Sequence, residues 1–318
     1  MVASRSLKTL VKRGALLTAA NWPIVPVQFV AESILKLLVG VPIVGGFILL
    51  VLVVGRELPA ASMDSIRDVG FGLLSALSDH PAGLAGFLAS FVIAIAGGSI
   101  LTFVVKAGTV PVLVEAERVA GEIERPPLRR AQLQAARRWS PEQFLEGCTR
   151  FGPRFVRLGL FLMAAYAIIG GAYLFVAFGL YRVLIPATPG WTAVLAGAAS
   201  SALVVAISLA NFIYLLIQMV IAADDVSVRV AAGRVVRFLR HDGQWVLAVF
   251  LVVLSLVIVG MGVSIVAAGA LGLISFVPFV GFAVFPLQAV AWLLRGLIFQ
   301  FIGFTALGSY LTLYRGKS

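Results

Sequence analysis

The stretch WVLAVFLVVLSLVIVGMGVSIVAAGAL, Trp245–Leu271, carries no charged residue, and Ser255 and Ser264 are its only hydroxyl side chains. At 1.5 Å per residue it is long enough to cross the roughly 30 Å hydrocarbon core of a bilayer as a helix. It is too long and too continuous for a strand of a membrane barrel, which alternates over about ten residues. Five further stretches read the same way: Trp22–Val54, Leu84–Leu113, Leu158–Leu180, Trp191–Ala223 and Val280–Leu313. The first and last exceed one crossing. The first reads as a kinked span or a span plus a half-span, and Pro286 can kink the last.

Composition agrees. Of 318 residues, 61% are hydrophobic and 12% charged, against about 45–50% apolar and about 25% charged in an ordinary soluble domain. That balance excludes a water-soluble enzyme. One cysteine, Cys148, excludes a disulfide scaffold and a zinc cluster. The expected fold class is an all-α integral membrane protein of about six transmembrane helices with interfacial amphipathic helices, in a single membrane domain over 1–318. No metal and no cofactor are expected.

The basic residues set the expected orientation. Arg5, Lys8, Lys12 and Arg13 lie in the head, and ten lie between Lys106 and Arg157, among them Arg129, Arg130, Arg137 and Arg138. Arg229, Arg234, Arg237 and Arg240 precede the fifth span, and Arg315 and Lys317 end the chain. Twenty of the 25 Lys and Arg thus fall on one side and three (Arg56, Arg67 and Arg182) on the other. By the positive-inside rule both termini are cytoplasmic and the number of spans is even. The expected location is the bacterial inner membrane, with no cleavable signal peptide, because the first apolar run is too long and holds Glu32 and Lys36. Lys8, Lys12, Arg13, Arg129, Arg130, Arg137, Arg138, Arg234, Arg237 and Arg240 are expected to contact anionic lipid headgroups. Without a nucleic-acid-binding motif or interleaved aromatics, these clusters do not point to nucleic acid.

The segments before the odd-numbered spans resemble one another. Each is amphipathic and enters its span through an aromatic residue: Trp22, Phe155 or Trp245. Phe155-Val156 matches Trp245-Val246, and Gly170 and Gly260 follow those aromatics at equal spacing. Glu115 and Glu117 after the second span parallel Asp224 and Asp225 after the fourth, where they are expected to open the next helix. The chain reads as a three-fold repeat of a two-span unit over 5–120, 140–228 and 229–316, with a cytoplasmic polar loop over 114–157. Ser140-Pro141-Glu142-Gln143 has the pattern of a helix start, with Ser140 as N-cap. An amphipathic helix is expected over 61–79. Gly97-Gly98, Gly170-Gly171, Gly260 and Gly262 are expected to allow close helix packing.

No phosphate loop, zinc spacing or nucleophile elbow is present, and His80 and His241 fall on opposite sides of the expected topology. The informative residues are polar groups inside spans, where a charge costs about 2.5–3.5 kcal/mol. Glu32 and Lys36 are four apart on one helix and can neutralise each other. Asn211 and Gln218 share a face of the fourth span, and Gln288 and Arg295 a face of the sixth. Together these six form a candidate intramembrane path or binding site, or else a structural network that pins the bundle.

The stretch Ala222–Phe250 combines an acidic exit, a basic amphipathic helix, a glycine turn and Trp245 opening a span. It resembles stand-alone bacterial multi-pass proteins related to the membrane region of glycerophosphodiester phosphodiesterases. The resemblance implies a lipid-contacting accessory module. It implies no hydrolase activity, since the catalytic barrel of those enzymes has no counterpart here. The expected function is a non-enzymatic lipid-contacting scaffold or an accessory subunit of a membrane complex. Its expected partners are the lipid bilayer, anionic headgroups and other membrane subunits. The alternative is a small-solute or lipid permease that uses the polar span residues; an intramembrane enzyme ranks behind both.

Overall fold

The computed structural model describes residues 6–54, 81–125, 127, 130–184, 189–275 and 280–316. Among them the regular elements are helices: α1 (Leu7–Ala20), α2 (Ile24–Val54), α3 (Pro81–Val119), α4 (Arg130–Ala135), α5 (Pro141–Leu184), α6 (Pro189–Asp224), α7 (Val228–Ser275) and α8 (Val280–Arg315). Six of them are long and apolar enough to cross a membrane. The first and last are single helices, with Pro42 inside α2 and Pro286 inside α8. The helix expected over 61–79 lies outside the described residues, as do His80 and Arg129.

The basic segment before the third span is continuous with that span, which corrects the expectation of a separate interfacial helix there. α5 begins at Pro141, where the Gln143 N–H donates to the Ser140 hydroxyl at 3.1 Å, and runs on through the third span. Phe151, Phe155 and Leu158 supply one uninterrupted buried stripe across the junction. α7 instead comprises two helices that meet at a kink at Asp242, whose φ of −115° and ψ of 17° leave the helical region, at the glycine turn expected before the fifth span. Glu115 and Glu117 belong to the last turns of α3 rather than to a following helix. The polar loop expected over 114–157 therefore shrinks to 120–140 around the short α4.

Only the first junction breaks fully, at Asn21, and the reason is local. Ser6 caps the start of α1, its hydroxyl accepting from the Thr9 N–H at 3.2 Å. Asn21 closes the end. Its backbone N–H donates to Leu17 and Thr18, and Pro23 has no N–H with which to continue the ladder. The Asn21 side chain is fully buried. Its amide nitrogen donates to the carbonyls of Leu17 and Ala136, each at 3.0 Å. Its amide oxygen accepts from the backbone N–H groups of Arg138 at 2.7 Å and Trp139 at 3.0 Å. One side chain thus ends α1 and fastens the chain between α4 and α5 beneath it.

Two compact units divide the chain, 1–29 with 103–318, and 30–102. In the larger unit the buried residues gather at one end of the bundle. α1 lies against the last turns of α8. A side chain at Gly14 would collide with the Thr305 carbonyl and the Ser309 hydroxyl, and one at Gly308 would come within 3.0 Å of the Gly14 Cα. A second close crossing joins α3 and α5, where a side chain at Gly147 would lie 2.9 Å from the Ala107 carbonyl. Ring contacts tie α6 to its neighbours: Phe212 meets Phe250 of α7 at 5.3 Å and Tyr310 of α8 at 5.6 Å. In the smaller unit, Leu35 of α2 packs on Gly98 of α3.

Away from the packed end, α5–α8 expose most of their apolar surface. Ile168, Phe175, Val205 and Val266 are between 65% and 82% exposed. Among the described residues, side chains added at Gly170, Gly171 or Gly262 would meet nothing within 4 Å, whereas Gly14, Gly108, Gly147 and Gly308 are contact points. Length explains the two zones. α5 has 44 residues and α8 has 36, which at 1.5 Å each makes about 66 Å and about 54 Å, against a hydrocarbon core of about 30 Å. An exposed apolar zone is what lipid contact requires, and the excess length forms the packed end.

Asn21→Ala would strand the part-buried N–H groups of Arg138 and Trp139 and the buried Ala136 carbonyl. The expected loss of stability is on the order of 3 kcal/mol, read as a lower melting temperature in detergent. A melting temperature equal to that of the unsubstituted protein would contradict this role.

Candidate functional site

The helix ends that meet at the packed end carry acid on the even spans and base on the segments before the odd ones. In α1, the Arg13 Nε donates to both Glu117 carboxylate oxygens, at 3.0 and 2.9 Å, and its Nη1 to Glu124 at 2.7 Å. Lys12 donates to the Glu124 carbonyl at 2.7 Å. The Arg13 and Glu117 side chains retain 12% and 6% exposure. Burial alone would weaken the Arg13 charge, but the two carboxylates more than offset it and hold the guanidinium above its ordinary pKa.

At the start of α5, Arg150 and Arg154 each donate to Asp225 at 2.5 Å. Asp225 sits just past the end of α6 with φ of 52°, the left-handed conformation that aspartate tolerates better than most side chains. Hydrogen bonds from Arg150 and then Arg154 hold its carboxyl below the ordinary aspartate pKa. Its neighbour Asp224 accepts from Arg234 of α7 and, at 2.6 Å, from the Tyr314 hydroxyl of α8. Arg315 donates to the Val114 carbonyl of α3 at 2.9 Å. Charged contacts therefore join α1 to α3, α5 and α7 to the end of α6, and α8 to both α3 and α6.

Three grooves open between these ends. One of about 330 Å³ is lined by Glu115, Arg118, Glu146, Arg150, Phe151 and Asp225, among others. A second, about 540 Å³, takes in Arg13, Glu117, Glu124, Asp224 and Arg315. A third, about 530 Å³, lies at the α7 bend beside Arg237, Phe238, His241 and Tyr314. In all three, opposite charges already face one another, so none presents a strong single-sign field.

The expected headgroup contacts divide accordingly. Arg13, Lys12 and Arg234 are engaged within the protein. Lys8, Arg130, Arg137, Arg237 and Arg240 are exposed, and Arg138 is half-buried. Four of the six expected intramembrane residues lie in the larger unit. Asn211 accepts from the Tyr166 hydroxyl of α5 at 2.5 Å and donates to its own helix at Ile207. Gln218, two turns nearer the packed end, is buried, and its amide nitrogen has no hydrogen-bond partner among the described residues. Gln288 is half-buried and Arg295 exposed on α8. No hydrogen bond among the described residues joins any two of these four. Glu32, half-buried, and Lys36, exposed, lie on α2 in the smaller unit.

Sequence reading missed Asn21 and the pairing of Arg13, Arg150, Arg154 and Arg234 with acidic helix ends. An asparagine two residues before a proline is a helix-stop signal that marks Asn21. The ion pairs have no signal of their own, because their partners are up to 111 residues apart.

No protein family, curated protein or solved structure matches this chain. Its class follows from the fold: an all-α, multi-pass membrane protein with six helices able to cross a bilayer.

Two outcomes are expected at the packed end. Arg13→Ala, which leaves Glu117 buried without its main counter-charge, costs on the order of 3–5 kcal/mol, and adding Glu117→Ala recovers part of that loss in a double-mutant cycle. The pairs at Asp225 behave differently. Because its folded pKa is depressed, their contribution is fully present above about pH 4, the ordinary aspartate value, and fades as pH falls through the lower folded value. The difference in melting temperature between the unsubstituted protein and Asp225→Asn is therefore flat from pH 7 to 5 and closes below about pH 4. Being solvent-exposed, it is small.

Proposed function

We propose that this chain is a non-enzymatic, lipid-contacting scaffold or accessory subunit of the bacterial inner membrane, its packed basic end and both termini in the cytoplasm. The observation that carries the reading is the two-zone build of α5–α8, an exposed apolar zone about one hydrocarbon thickness long joined to a packed, ion-paired end. Helices kept apart from many of their neighbours within the bilayer offer their sides to acyl chains or to other membrane helices. The exposed cations Lys8, Arg130, Arg137, Arg237 and Arg240 then attract acidic headgroups, each by about 1 kcal/mol near the surface. The resemblance to phosphodiesterase membrane regions agrees with such an accessory role. The permease reading has one observation in its favour: Gln218, a buried amide with an unpartnered nitrogen on a span-forming helix.

The test replaces those five exposed cations with glutamine and compares the lipid that co-purifies with each protein. Under the scaffold reading, bulk enrichment of anionic over zwitterionic lipid falls while the melting temperature holds. Unchanged enrichment, or solute flux through proteoliposomes that Gln218→Leu abolishes, overturns it.

A further inference from the structure

Arg295 is the charge whose surroundings the two-zone build does not explain. It is exposed on α8, in a segment long and apolar enough to cross a membrane. Among the described residues its guanidinium meets the face of the Phe299 ring, 5.7 Å from the ring centre, and no carboxylate. A bare cation in hydrocarbon is costly, so something outside the described chain has to neutralise it or bring it to water.

Depth shows which. Counting about 20 residues for one crossing from Val280, the first residue of α8, the hydrocarbon ends near Phe299. The same count along neighbouring helices ends near Ala164 on α5, Ser208 on α6 and Ser255 on α7. In each helix the buried residues of the packed end begin beyond that point: Leu158, Tyr214, Val249 and Phe304. Arg295 therefore lies about four residues, or about 6 Å, inside the boundary, within reach of a long side chain.

Its direction agrees. A helical Cα–Cβ bond leans towards the helix N-terminus, which for α8 is the end away from the packed zone. The guanidinium nevertheless lies over Phe299, one turn the other way. It is turned back towards the boundary, as a snorkelling cation is. On the same stripe, one turn further out, Trp292 is 52% exposed, and Leu294 and Ile298, which flank Arg295 itself, are exposed as well. The ring and the aliphatic side chains suit an acyl chain, and the guanidinium suits a phosphate, which its planar fork binds with two hydrogen bonds.

We propose that Arg295, steered by Phe299, holds the phosphate of one anionic phospholipid in the leaflet on the packed side, with Trp292, Leu294 and Ile298 against its acyl chain. This deepens the lipid-contact reading and rests on it. It separates one seated lipid from the loose cloud drawn by the exposed cations. A carboxylate supplied by another membrane helix is the competing occupant.

The experiment uses the full chain in nanodiscs of phosphatidylglycerol and phosphatidylcholine, released into native mass spectrometry. The unsubstituted protein is expected to keep one phosphatidylglycerol under activation that strips the rest. Arg295→Gln loses that lipid, its anionic selectivity falling about five-fold, the loss of one basic contact. Arg295→Lys keeps the charge but not the fork and retains the lipid partly. The five-cation glutamine variant keeps the seated lipid while its bulk enrichment falls. If Arg295→Gln retains the tight lipid, or if the unsubstituted protein instead carries a protein subunit that Arg295→Gln releases, the assignment to Arg295 is overturned. If the unsubstituted protein shows no anionic preference at all, the lipid-contact reading itself fails. Should Arg295→Gln fail to fold, Arg295→Lys and Phe299→Leu still decide. Loss of the tight lipid in neither of them overturns the proposal.

Discussion

Helices of 36 to 44 residues do not fit inside a hydrocarbon layer about 30 Å thick, and the rest of the structure follows from that mismatch. Surface facing acyl chains can stay apolar and uncovered. Surface extending past them has to be packed, and its polar groups satisfied. The protein meets both demands along the same helices. Val205 and Tyr214 lie on one helix nine residues apart, yet the first is 65% exposed and the second 5%.

At the packed end the main problem is electrostatic. The last turns of α3, α6 and α8 bring unpaired carbonyls and the negative ends of their dipoles to one place. Cations from α1, α5 and α7 suit that location, and α8 adds its own Arg315 on the Val114 carbonyl. The acids Glu117, Asp224 and Asp225 prevent those cations from repelling one another. The dense basic content is thus partly internal glue. Arg13, the most enclosed of these cations, binds α1 to α3 and to the loop beyond it at Glu124.

Two glycine crossings and one asparagine make this arrangement possible. Gly14 and Gly308 let α1 approach α8 at backbone distance, and Gly108 and Gly147 do the same for α3 and α5. Asn21 then converts the end of α1 into an anchor for the chain before α5. Where such contacts cease, a side chain added at a glycine would meet nothing within 4 Å among the described residues, as at Gly170 and Gly171. These positions look alike in sequence because a glycine carries no sign of what faces it.

Much of the fold was legible from local signals. Uninterrupted apolar runs such as Trp245–Leu271 determined six span-length helices, because a chain that apolar and that long is stable only where its backbone bonds within itself. The Ser140-Pro141 cap determined where α5 begins, since capping is a contact over three residues. Segment continuity was not legible. Whether the helix ran on from Phe151 to Leu158 or broke there depended on the surface it covered. The site was less legible still. Sequence placed Arg13 and Arg234 among the headgroup contacts, and only the tertiary structure put Glu117 and Asp224 beside them. A basic side chain on an amphipathic helix has the same pattern whether water, a lipid phosphate or a carboxylate from a distant helix faces it. That choice is made by packing between helices, which no local stretch of residues encodes.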